Sequence, residues 1–284
     1  MKILLPIGLV ALLCFSFNSN TSRLTLEQAA QEKKVVFEIV PLGGYSGNCI
    51  SIRVQNLGGA LNLELPVGTI FIPEDSTEQT LITTSPQLFA LGRKEEKLIQ
   101  VNAFCTEAND HSPSKESKFS MGRSQNKALL GLTSFLDSLR LVDEDAIQNS
   151  VWCVTDHESV SNVYLDNANT QKALRGYLCK TTGQKDTWYS TRSDLHVNQN
   201  REIVRTPKEI KGDIEYTSTE RSELQGVVKD STGKILVTNP NKTVVPAGHV
   251  KFEFNLRIEG WPHGNYSVVY TNNGKEVINQ PFSF

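Results

Sequence analysis

Long apolar runs are scarce in this chain. After Ile3 to Phe17, no segment is long and apolar enough to cross a bilayer. An excess of one charge is lacking too. The 29 Lys and Arg nearly balance the 31 Asp and Glu, for a net charge of -2, so there is no basic footprint for nucleic acid. Gly-x-Ser-x-Gly, P-loop and Gly-x-Gly-x-x-Gly motifs are all missing, which leaves hydrolase and nucleotide-binding readings without support. The five histidines offer no zinc spacing: Asp156-His157-Glu158 has no second histidine at ligand distance. The acidic run Asp143-Glu144-Asp145 lacks the Asp/Asn alternation and glycine of a calcium loop and reads as a solvated helix cap. No metal and no cofactor is expected. Internal repeats and low-complexity tracts are not evident.

What is there is 284 residues, enough for two modest domains. Met1 to about Ser19 has the form of a secretory signal: Lys2 supplies the positive start, and Ile3 to Phe17 the apolar core. The expected destination is therefore the cell surface or the extracellular medium. Cys14 would be the lipid acceptor of a lipoprotein, but Leu13 stands where a small residue is needed, which argues against that route. The remaining cysteines are Cys49, Cys105, Cys153 and Cys179. An even count in an exported chain points to two disulfides. Cys153 and Cys179 would bracket a helix pair, and a bridge there closes a loop worth roughly 3 kcal/mol in the chain-entropy picture.

The pattern along the chain predicts an α+β protein. Leu24 to Lys34 has the signals of a short helix capped by Thr25, with Gln28 in the capping-box position. Seven strand-like runs follow between 35 and 104. Ile50, Ile52 and Val54 alternate with Ser51 and Arg53, and Leu61, Leu63 and Leu65 alternate with Asn62 and Glu64. Gly43-Gly44, Gly58-Gly59, Pro66, Pro73, Pro86 and Gly92 punctuate them, as in a β-sandwich or barrel. Residues 106–118 are polar and turn-rich. Helical periodicity then takes over at Leu129, Leu132, Phe135, Leu136 and Leu139, with Ser124 as the expected cap. Further helices are expected over 145–155, capped by Asp143 or Asp145, and over 170–179. The expected organisation is a signal over 1–19 and a domain over 20–185, β-rich at 35–105 and helical at 124–179. A polar connector over 186–200, with Trp188-Tyr189 exposed, and an all-β sandwich module over 201–284 complete it.

The last module carries Asp230-Ser231-Thr232-Gly233-Lys234 as a hairpin turn, the step Pro246-Ala247-Gly248-His249, and Gly264-Asn265-Tyr266 before the final hairpin. On these residues it resembles the immunoglobulin-like C-terminal modules of Bacteroidetes secreted proteins, including type IX secretion sorting domains. The ending Pro281-Phe282-Ser283-Phe284 lacks the basic residue of the sorting pattern, so the resemblance implies the fold more than the sorting. Docking to secretion or surface-anchoring machinery is what it would add.

The chemistry concentrates at two places. One is Phe104-Cys105, where the β pattern stops. The other is the helix containing Ile147-Gln148-Asn149-Ser150-Val151-Trp152, on which Gln148 and Trp152 share one face and Ile147 and Val151 form the neighbouring stripe. An aromatic residue before Cys, then an apolar-Gln-x-x-apolar-Trp run, resembles the paired signatures of bacterial surface thioester domains. The resemblance covers about the first two thirds of the chain. It implies a covalent bond between the Cys105 sulfur and the Gln148 carbonyl, formed with loss of ammonia. Phe104 and Trp152 would exclude water, supported by Ile147 and Val151. His111 and His157 lie near the two reactive residues in sequence and could serve as bases for an incoming nucleophile. The function implied is covalent adhesion to a protein or glycan surface bearing amines, such as lysine, or less readily hydroxyls. It happens once per molecule and is not turnover catalysis. The alternative is an extracellular two-module binding or structural protein with Cys49–Cys105 and Cys153–Cys179 disulfides and no reactive bond.

Overall fold

The computed structural model describes residues 23–284, so the expected signal over 1–19 and Cys14 lie outside the described residues. The fold is α+β, built from several small sheets and a cluster of helices. Among the described residues no helix is long and apolar enough to cross a membrane.

The first part begins with β1 (Leu24–Thr25) and α1 (Leu26–Gln31). Thr25 caps α1 with a capping box: its hydroxyl accepts from the Gln28 amide at 3.1 Å, and the Gln28 carboxamide accepts from the Thr25 amide at 3.0 Å. Next come β2 (Val35–Pro41), β3 (Ile50–Asn56), β4 (Leu61–Leu65), β5 (Thr69–Pro73), β6 (Leu81–Ile82), β7 (Gln87–Leu91), β8 (Glu96–Val101), β9 (Phe104–Cys105) and β10 (Phe119–Arg123). They form three sheets, ordered β2-β3-β8, β1-β4-β7 and β10-β5-β6-β9. The inward residues predicted by the alternating pattern, Ile50, Ile52, Val54, Leu63 and Leu65, fill one core between these sheets. β10 carries a short alternation, Phe119 and Met121 against Ser120 and Gly122, that packs partly against this core, and it pairs along its full length with β5.

Three helices make a second core. They are α2 (Lys127–Ser138), α3 (Glu144–Thr155) and α4 (Ala168–Thr182), with a 3-10 turn at Val160–Asn162. Leu129, Leu132, Leu136, Ala146, Ile147, Val151, Leu174 and Leu178 meet there. The cap of α2 is Asn126, not Ser124. The Asn126 Oδ1 accepts from the Ala128 and Leu129 amides at 3.0 and 3.1 Å, and the Ser124 hydroxyl braces the cap itself by accepting from the Asn126 amide at 3.3 Å.

The expected connector is instead a strand. β11 (Tyr189–Val197) pairs along its whole length with β12 (Ile203–Ser218). Its polar sequence hides this because Ser190 and Thr191 are buried, Ser190 against a polar partner. Arg175 of α4, itself buried, donates to the Tyr189 carbonyl and the Ser190 hydroxyl at 3.1 and 2.9 Å. Tyr189 is buried, not exposed, and Trp188 donates its ring N–H to the Pro281 carbonyl. The remaining strands are β13 (Ser222–Asp230), β14 (Ile235–Thr238), β15 (Thr243–Val245), β16 (Gly248–Arg257), β17 (Asn265–Asn272) and β18 (Lys275–Ser283). Sheet β11-β12-β16 faces the sheet in which β13 and β17 are central, β14 and β15 share one edge and β18 is the other. Tyr189, Ile210, Ile214, Leu224, Val268, Tyr270 and Phe282 join the two across one core, which gives the predicted sandwich.

Candidate functional site

β9 is two residues long and pairs with β6, with Cys105 opposite Leu81 and Phe104 opposite Ile82. Successive strand side chains point to opposite faces. Cys105 therefore enters the sheet core and Phe104 enters the helical core. The other edge of β9 meets α3. The Cys105 amide donates to the Gln148 Oε1 at 3.0 Å, and the Gln148 Nε2 donates back to the Cys105 carbonyl at 2.8 Å. The carboxamide thus pairs with the peptide groups of one residue, as a neighbouring strand would. The same amide also donates to the Tyr45 carbonyl at 2.9 Å. Residues 43 positions apart are brought together by tertiary structure alone.

α3 holds Gln148 in place through its own ends and faces. Asp143 is the N-cap, accepting from the Ala146 amide at 2.8 Å, and Glu144 and Asp145 stand in the first turn, where the helix dipole favours acids. Gln148 and Trp152 face the sheet, while Ile147 and Val151 pack into the helical core, so the stripes read from sequence separate as predicted. Cys105 and Gln148 are both 0% exposed and Trp152 is 1% exposed. No solvent reaches the pair directly.

The shield differs from the expected one. Phe104 lies on the helical side, away from the face that holds the Cys105 side chain. The second aromatic ring is Tyr45, stacked on Trp152 with centroids 6.2 Å apart and planes 19° from parallel. Tyr45 sits in the loop 42–49. Within that loop the Gly47 carbonyl accepts from the Ala103 and Cys49 amides, each at 2.8 Å. Gly47 has φ +71°, a left-handed conformation that favours glycine, and a Cβ there would stand 2.6 Å from the Glu144 carboxylate oxygens and push that side chain aside. From the second module comes Arg205 of β12. Its guanidinium carbon lies 5.7 Å from the Trp152 ring centre, and its Nη2 donates to the Asn149 Oδ1 at 2.8 Å and to the Glu158 Oε2 at 2.5 Å. Among the described residues the buried Trp152 ring N–H has no hydrogen-bond partner. Tyr45 and Arg205 were not singled out in the sequence. The glycine-flanked tyrosine ahead of Cys49 was the one available signal for Tyr45, and nothing local marks Arg205.

Burial sets the electrostatics. It pushes the Cys105 thiol well above its ordinary value, with the Cys49 thiol and the Glu107 carboxylate adding to the effect. Cys49 is pushed up to about 12, also mainly by burial, and donates its S–H to the Ala103 carbonyl at 3.2 Å. Burial, then the nearby Asp145 charge, raises Tyr45. Burial, reinforced by Asp143, raises Asp145. A neutral thiol is a poor nucleophile, so any attack by Cys105 needs its proton removed. The hydrogen bond from the Cys105 amide to Oε1 is the kind of contact that stabilises charge developing on a carbonyl oxygen.

The four described cysteines are free thiols. The expected Cys153–Cys179 bridge is absent: Cys153 donates to the Ser159 carbonyl at 3.5 Å and packs in the helical core. Cys49 and Cys105 are likewise unbridged. His111 uses its backbone, donating to the Thr77 carbonyl and accepting from the Gln79 amide. His157 is exposed at the end of α3 with φ 56°. Neither ring makes a hydrogen bond to Cys105 or Gln148. Among the described residues no group of three or more His, Cys, Asp or Glu could hold a metal.

No family model matches the chain. No curated protein matches it either. Among solved structures that match is a β-glucosidase from Kluyveromyces marxianus, at 9% identity and a TM-score of 0.21, over 82% of this chain and 44% of that one. The chain spans less than half of that enzyme's length, and so low a TM-score carries no argument about fold or activity.

Proposed function

We propose that this is an exported surface or secreted protein that stores an internal thioester between Cys105 and Gln148 and uses it once, to anchor covalently to an amine-bearing surface. The observation that carries the reading is the reciprocal pair of hydrogen bonds, 3.0 and 2.8 Å, that clamps the Gln148 carboxamide against Cys105 at zero exposure. In the forming step the Cys105 sulfur bonds to the Gln148 carbonyl carbon and the carbon–nitrogen bond breaks. The thiol proton leaves on the amide nitrogen as ammonia. In the anchoring step an external amine attacks the same carbon, an amide bond forms, and Cys105 regains its proton as a free thiol. The buried site protects the electrophile from water until a target arrives.

A second reading has its own support. A buried glutamine whose carboxamide is fully paired to backbone groups is also a good structural tie between a sheet edge and a helix, needing no reaction. This non-reactive two-module protein would bind or scaffold outside the cell. Methylamine separates the two readings. Peptide mapping after exposure should locate one added methylamine on Gln148, with Cys105 newly alkylatable, and neither change in Cys105→Ala. A wild-type protein that takes up no methylamine under native conditions leaves the structural reading standing.

A further inference from the structure

The second module does more than follow the first. β12 pairs with β16 only from Glu209 to Ser218. Beyond Glu209, residues 203–207 pair with β11 alone, so 193–207 is a two-stranded arm projecting from the sandwich. At its root the ladder slips: Arg192 faces Glu209 and Ser193 faces Pro207, leaving Lys208 as a bulge. Bulges bend strands, and proline here supplies no ladder donor.

The arm lies on the reactive side of the first domain. Leu195 and Ile203 pack against the sheet core. The Leu195 carbonyl accepts from the Tyr45 hydroxyl at 3.4 Å, and the Arg201 carbonyl accepts from the Ser112 amide at 2.7 Å. Arg201 pairs with the buried Glu78, and Arg205 reaches across Trp152 to Asn149 and Glu158. Both aromatic rings over the site are therefore touched by the arm. An amine on a macromolecule cannot reach a carbonyl of zero exposure while these contacts hold.

We infer that the arm is a latch on the site and that Arg205 is its positioning residue, holding Trp152 over Cys105 and Gln148 until the arm lifts about the bulge at Lys208. This rests on the thioester reading for its purpose, but the latch itself is testable without the bond. Hydrogen exchange in a Cys105→Ala background, which cannot form a thioester, should show 193–207 and 145–155 exchanging about tenfold faster once Arg205→Ala is added, with β13 and β17 unchanged as the control for folding. Unchanged exchange in 193–207 would overturn the latch, whatever the fate of the thioester. In the bond-bearing protein, Arg205→Ala should speed uptake of a lysine-containing peptide about tenfold more than uptake of methylamine, which is small enough to need less opening. Arg205→Lys, which keeps the cation, should recover part of the wild-type ratio. Equal acceleration of both amines would overturn the gating role. A wild type without the ammonia deficit defeats the function proposed above and leaves the exchange result to judge the arm.

Discussion

Opening the proposed Cys105–Gln148 bond should cost the fold a measurable share of its stability. The bond would close a loop of 43 positions. In the chain-entropy picture, a cross-link of that span destabilises the unfolded chain by about 4 kcal/mol. Removing the cysteine side chain adds little, because its thiol makes no hydrogen bond among the described residues and only its burial is lost, about 1 kcal/mol. Cys105→Ala should therefore unfold about 5 kcal/mol more easily than the bonded wild type. Gln148→Ala loses the same cross-link and the hydrogen bond that the Cys105 amide donates to Oε1, the Nε2 donor having already left as ammonia in the bonded protein, and the Cys105 amide keeps Tyr45 as partner. Truncating the buried side chain adds about 1–3 kcal/mol beyond the cross-link. The discriminating sample is wild type opened with methylamine, which loses the link, restores the Cys105 thiol and leaves Gln148 as its N-methylamide, a change of one methyl group beside the intact side chains. Urea denaturation should place it about 4 kcal/mol below the untreated protein. If the opened and untreated proteins unfold within about 1 kcal/mol of each other, the loop-closure reasoning is wrong even if the bond exists.

Other expectations rest on single contacts. Asp143→Ala removes the cap of α3 and should destabilise the protein by about 1 kcal/mol in thermal or urea unfolding; no change would show the cap to be replaced by water. Arg175→Ala leaves the Thr187 carbonyl without its guanidinium donor, the Tyr189 carbonyl with the Thr187 hydroxyl alone, and the half-exposed Asp186 to solvent, so about 2 kcal/mol should be lost in the same assay. For pH, Cys49 holds its proton more tightly folded than unfolded, with its value raised from 9.0 to about 12. Its contribution is intact below pH 9 and is lost as pH climbs from there toward 12, by up to about 1.4 kcal/mol per unit. Cys49→Ala should flatten that alkaline decline in the urea midpoint, and an unchanged slope would assign the decline to other groups.

The legible parts of this protein were those whose signals are local. Alternation placed β3 and β4, the Thr25–Gln28 pair marked the start of α1, and the acidic run at 143–145 marked that of α3, because period and capping are set by neighbours in sequence. The pairing of Phe104-Cys105 with Gln148 came from resemblance, since nothing local specifies contact between a strand and a helix 43 positions apart. The misses share a cause. β10 carries only the short Phe119–Met121 alternation and β11 no apolar run, and both are fixed by the partner strand that takes their hydrogen bonds, with Arg175 donating to the Ser190 hydroxyl of β11. Phe104 was assigned to the shield by adjacency, but strand alternation turns it to the opposite side from Cys105. Tyr45 and Arg205 reach the site from a loop 60 positions upstream of Cys105 and from another module, distances over which composition and spacing are silent.

The central claim is that the Cys105 sulfur and the Gln148 carbonyl are bonded in the mature protein. Intact mass of the freshly purified chain measures it directly, beside Cys105→Ala and Gln148→Ala. The account predicts that wild type is lighter than its sequence mass by one ammonia and that both variants show no such deficit. A wild-type mass equal to the sequence mass, or lower only by hydrogens lost to disulfides, would contradict it.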